Sequence, residues 1–176
     1  MKKITILFLA ITLFFSCKKD SGTNSTASTP ADLLPKSNEI SGWDRSANAW
    51  TATSSGELNT YINGEEPTYT RHGFIEASMQ EYQGTIQGAV VAIEIRIFDQ
   101  GSSNNAKALY DELVLQMANP QDWDEAGSEA SVERLGLAQR ILFHKENYFI
   151  SLTISSGLDE SLNVLKTFAL NIDAEI

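Results

Sequence analysis

The residue types that most often carry chemistry are few here and far apart. The chain has two histidines and one cysteine among 176 residues. His72 and His144 share no His-x-x-x-His spacing and have no second cysteine for a thiolate site, so zinc is not expected and no cofactor is implied. Asp122, Asp124, Glu125 and Glu129 are dense enough to attract calcium, but they lack the alternation and the glycine of a calcium loop and read as a solvated acidic stretch. No Gly-x-Ser-x-Gly elbow presents a nucleophilic serine. Glu65-Glu66 is a carboxylate pair, yet general acid and base must converge in space, and neighbours on a loop usually point apart. The stretch "DQGSSNNA" could hold an anion at a helix start but lacks the glycines and lysine of a phosphate loop; Ser102 or Ser103 as a plain N-cap is the simpler reading.

Two constellations remain as candidates for binding. Tyr61, Asn63 and Tyr69 would give a polar rim around an aromatic pocket, although Asn63-Gly64 also has the composition that ends a helix, and Tyr61 is an ordinary core aromatic. Arg96 and His144 belong with Glu94, Arg140, Ser151 and Thr153 to the polar positions of alternating segments. Such residues usually form the wet face of an antiparallel sheet; in register on adjacent strands they could instead recognise a partner.

The elements that must position them follow from periodicity. In "AVVAIEIRIFDQ", Val91, Ile93, Ile95 and Ile97 alternate with Glu94 and Arg96, and in "NYFISLTISS", Tyr148, Ile150, Leu152 and Ile154 alternate with Ser151 and Thr153. "GFIEASMQEY" is expected to pair with the first through Gln83-Gly84-Thr85, and "AQRILFHK" with the second through Lys145-Glu146-Asn147. A helical stripe follows each: Ala106, Leu109, Tyr110, Leu113, Val114 and Met117, then Leu158, Leu162, Leu165, Phe168 or Ala169, and Ile172. A short earlier helix is expected at "SSGELNTYI", with Ser54 and Glu57 as a capping box. The fold class is α+β: a largely antiparallel sheet with helices packed on one face, reading as two ββα units. "ANPQDWDEAGSEA" is the longest irregular stretch.

The amino terminus addresses the chain. Lys2 and Lys3 precede an apolar run to Phe15, which is too short to span a bilayer and has the form of an export signal over residues 1–16. Ser16 and Cys17 resemble the end of a bacterial lipobox, where a peptidase cuts before a cysteine that has received a diacylglycerol. That resemblance implies Cys17 as the lipidation site; an uncleaved tail or a free thiol are the alternatives. Lys18, where many inner-membrane lipoproteins carry Asp, implies the outer membrane by the same likeness. Residues 17–31 are a Ser/Thr/Lys-rich tether, and residues 32–176 make one domain of ordinary size. A net charge of −10, with no basic cluster beyond Lys18-Lys19, excludes nucleic acid as a partner.

The phrases Leu33-Leu34-Pro35, Gly42-Trp43, Tyr61-Ile62-Asn63-Gly64, Tyr69, Gly73-Phe74 and Asp99-x-Gly101 together resemble an uncharacterised family of bacterial exported proteins and lipoproteins. That resemblance implies an exported α+β domain and no particular reaction. At the level of fold, the order of strands and helices is also similar to PsbP-like sandwiches, which serve mostly as accessory or binding modules. The expected function is a non-catalytic lipoprotein domain that binds an envelope protein or small ligand; an envelope hydrolase is the alternative.

Overall fold

The computed structural model describes residues 28–176, so the expected signal segment 1–16, Cys17 and the tether as far as residue 27 lie outside the described residues. Strand β1 (Asp44–Ala52) is followed by helices α1 (Ser55–Ile62) and α2 (Glu66–Thr70). The hairpin β2 (Glu76–Ile86) and β3 (Ala89–Asp99) leads into α3 (Ser103–Val114). Then come β4 (Gln121–Asp122), β5 (Glu129–Arg134), β6 (Gln139–Lys145), β7 (Tyr148–Ile154) and α4 (Asp159–Glu175). All pairings are antiparallel, in the order β1-β2-β3-β7-β6-β5-β4. Among the described residues no helix is long and apolar enough to cross a membrane.

The apolar alternation of β3 and β7 builds the first face. Ile93, Ile95, Ile97, Ile150, Leu152 and Ile154 are fully buried beneath α4, whose Leu165, Phe168, Ala169 and Ile172 are equally buried. Each of the Ile, Leu and Phe side chains contributes about 1.5–3 kcal/mol on leaving water. Phe168 meets Tyr82 at 5.0 Å and the edge of Trp43 at 5.7 Å.

The α+β class and antiparallel sheet are as read from the sequence, but the helices do not share one face. Phe98, Leu142 and Phe149 occupy the positions between the alternating residues, so the second face is also apolar at one end. That end would be costly to leave wet, and α1, α2 and α3 cover it with Leu58, Ile62, Tyr69, Leu109 and Tyr110. The units β2-β3-α3 and β6-β7-α4 therefore place their helices on opposite sides of one sheet, which gives them opposite hands.

A second difference concerns the first hairpin. The chain reverses at Gln87-Gly88, with φ of 52° and 82° as a two-residue type I′ turn needs, and β2 runs straight through Gln83-Gly84-Thr85. Gly84 lies inside the strand because the Trp43 ring packs on it; a Cβ there would come within 2.5 Å of Trp43 Cδ2. The stretch read as irregular contains β4 and the start of β5.

Candidate functional site

Helices α1 to α3 cover only part of the second face, and the uncovered part is polar. Two rows of side chains cross it in register. Arg96 on β3 is opposite Ser151 on β7, which is opposite Leu142 on β6; one row further, Glu94 is opposite Thr153, which is opposite Arg140. Side chains at directly opposed positions stand about 5 Å apart, so the hydroxyls of Ser151 and Thr153 lie between the two arginines. Walls rise on both sides: Glu65, Thr68 and Tyr69 at α2, and Leu113 and Gln116 at the end of α3. With Phe149 at the base, they enclose a cleft of about 290 Å³. That is close to the lower end of the range for small-molecule sites, roughly 300 Å³ upward.

The cleft's charges are already partly matched. Arg96 Nε lies 2.8 Å from Glu94 Oε1, out of line for a hydrogen bond, and its Nη1 is 3.8 Å from Glu65 Oε2. Arg140 donates from Nη2 to Glu133 Oε2 at 2.6 Å. Glu133 is only 2 % exposed and also accepts from the Ala118 amide at 2.6 Å. Burial pushes the Glu133 carboxyl upward, but the Ala118 amide and the Arg140 guanidinium outweigh it and hold the group below its ordinary range. Tyr69 stacks on Phe98 at 4.2 Å, and burial pushes its hydroxyl up to about 12, so it remains protonated at neutral pH.

Of the five binding candidates Tyr61, Asn63, Tyr69, Arg96 and His144, Tyr69 and Arg96 line this cleft, and Glu94, Arg140, Ser151 and Thr153, expected on the same sheet face, line it with them; Tyr61, Asn63 and His144 do not. Tyr61 is half exposed and stacks on Trp50 at 4.9 Å with planes 6° apart. Asn63 is the left-handed C-cap of α1, its N–H donating to the Asn59 carbonyl. The pocket expected around Tyr61, Asn63 and Tyr69 is therefore not assembled: the first two serve a stack and a helix end. His144 shares the sheet face with Arg96 but is buried under α3, 5.2 Å from the Tyr110 ring, with neither ring nitrogen hydrogen-bonded. Burial lowers its pKa, with Lys107 acting in the same direction and Glu129 and Asp111 opposing. Thr68, Gln116 and Glu133 were not marked beforehand. Glu133 was legible in "EASVER", where Ala130 and Val132 alternate with Ser131 and Glu133; α2 and the tail of α3 carry no comparable signal. Among the described residues no three His, Cys, Asp or Glu side chains are grouped to hold a metal ion.

No family model matches the chain, and no curated protein matches it in sequence. Among solved structures it is similar to the crystal structure of the extracellular domain of PknH from Mycobacterium tuberculosis, with a TM-score of 0.56 over 82% of this chain and 93% of that one. The two are 11% identical, so the likeness is one of fold alone.

Proposed function

We propose that the chain is a non-catalytic binding domain of the bacterial envelope, tethered through a lipidated Cys17, that holds a small polar ligand in the cleft between α2 and α3. The observation that carries this reading is the pair of guanidiniums, Arg96 and Arg140, set diagonally about the Ser151 and Thr153 hydroxyls in a walled cavity. Charged and hydroxyl groups fix a ligand's orientation, while Leu113 on the α3 wall offers it apolar contact. Binding suits the cleft better than hydrolysis. Its carboxylates, Glu65 and Glu94, both lean on Arg96, and His144 is not part of its lining. The likeness in fold to an extracellular domain agrees with an exported chain, and the apolar run ending at Cys17 supports the anchor, with Lys18 favouring the outer membrane.

Thermal-shift screening of the full-length protein against a collection of small polar metabolites tests the reading. Hits are expected with the natural sequence and should vanish when Thr153→Trp fills the cleft. Hits that persist in that variant would place binding elsewhere.

A further inference from the structure

The two ends of the cleft differ in charge. At the β3 end, Glu94 and Glu65 approach Arg96 from two sides, two carboxylates to one guanidinium, so one negative charge is left unmatched. Glu65 is well exposed, with 66 % of its side chain accessible, and faces whatever enters. At the β6 end the charges match one to one, but only the guanidinium is presented to the cleft. Glu133 is buried behind Arg140 and is not part of the cleft wall, so an incoming ligand meets the guanidinium alone. One of that fork's five donors is satisfied by Glu133 at 2.6 Å, and the side chain is 31 % exposed. Between the ends stand the neutral hydroxyls of Ser151 and Thr153 over an apolar base of Phe149 and Leu142.

We infer that the ligand is a zwitterion whose carboxylate pairs with Arg140 and whose ammonium pairs with Glu65 and Glu94: an amino acid or short peptide with both termini free. The inference rests on the cleft being a binding site. A simple anion would satisfy Arg140 but bring further negative charge to the Glu65 end, and a simple cation would do the reverse. The lengths agree. Strands β3 and β6 flank β7, so their backbones are two strand spacings apart, about 10 Å. An extended dipeptide spans about 7 Å, and side chains reaching in from both strands take up the difference.

Calorimetry on the full-length protein in detergent, with amide NMR shifts at Ser151 and Thr153 to locate binding, provides the test. The probes are L-alanyl-L-alanine, its N-acetyl derivative and its C-terminal amide. The free dipeptide should bind, and each blocked form should bind at least about tenfold more weakly, the loss expected for one charge-assisted hydrogen bond. Glu65→Gln with Glu94→Gln should remove the penalty for acetylation. Arg140→Gln with Glu133→Gln, which leaves no buried unpaired charge, should remove the penalty for amidation. Blocked forms that bind as well as the parent would overturn the inference. So would a sugar or a dicarboxylate that shifts the Ser151 and Thr153 amides when the dipeptide does not, and in that case the cleft remains a binding site. If no compound of any class shifts those amides, both the zwitterion and the binding cleft fall.

Discussion

Replacing Arg140 by Gln should destabilise the fold through the group it leaves behind. Glu133 is 2 % exposed, and its charge is offset by the Arg140 guanidinium at 2.6 Å and by the Ala118 amide. Breaking a fully buried pair by removing one partner costs about 3–5 kcal/mol. Arg140 is itself 31 % exposed, so water reaches one side of the pair, and the Ala118 hydrogen bond survives. The expected loss is therefore about 1–3 kcal/mol. Urea unfolding followed by circular dichroism has a slope of about 1–3 kcal/mol per molar for a domain of this kind, so the midpoint should fall by roughly 1 M. Glu133→Gln, which keeps an acceptor for Ala118 and strands only a partly exposed guanidinium, should cost less. The double variant should recover most of the loss, leaving a coupling energy of about 1–2 kcal/mol. The same pair makes a pH signature. The folded Glu133 carboxyl lies below its ordinary value of 4.5, so its contribution is complete above 4.5 and is lost as pH falls through the folded value. Arg140→Gln should shrink that acid-side loss. An Arg140→Gln protein as stable as the parent, or single losses that simply add in the double variant, would refute the reasoning.

Three further outcomes are expected. His144 is held neutral by burial, so stability should be complete above its ordinary value of 6.5 and decline as pH falls from there toward the lower folded value; thermal midpoints between pH 7.5 and 5.5 should drop less in His144→Leu, the remaining slope belonging to His72, whose pKa is also lowered by burial. Gly84→Ala would press a methyl group to within 2.5 Å of the Trp43 ring and should cost about 1–3 kcal/mol in urea unfolding, whereas Gly56→Ala, with nothing within 4 Å, should not destabilise. Cys17→Ser should leave the membrane fraction on cell fractionation, and full retention there would count against a lipid anchor.

Periodicity showed the interior of the sheet more clearly than its ends. Val91 to Ile97 and Ile150 to Ile154 alternate without interruption because that side faces the larger buried core, shared by α4 and the segment 33–43, and the helix stripes of Leu109 and Leu165 answer the same need. Gly84 misled because a glycine beside polar residues looks like a turn, and nothing local reveals that Trp43 comes from a distant segment to lie against it. Strand β1 gave no signal: as an edge strand it keeps most side chains exposed and carries an irregularity between Arg45 and Ala49, so neither face imposes a pattern. The cleft was half legible. Arg96, Arg140, Ser151 and Thr153 fall on one face by counting alone, whereas the separation of His144 from that group depends on where α3 ends, a matter of packing between elements far apart in the chain.

Helix α4 is made after every strand it covers. Until residues 159–175 exist, the isoleucines of β3 and β7 have no lid, and the central strand β7 itself arrives only just before. The β2-β3 hairpin can form early, but it would do so as an open surface with oily side chains facing water. The larger of the two cores is therefore complete only when the 17-residue α4 segment packs on the sheet.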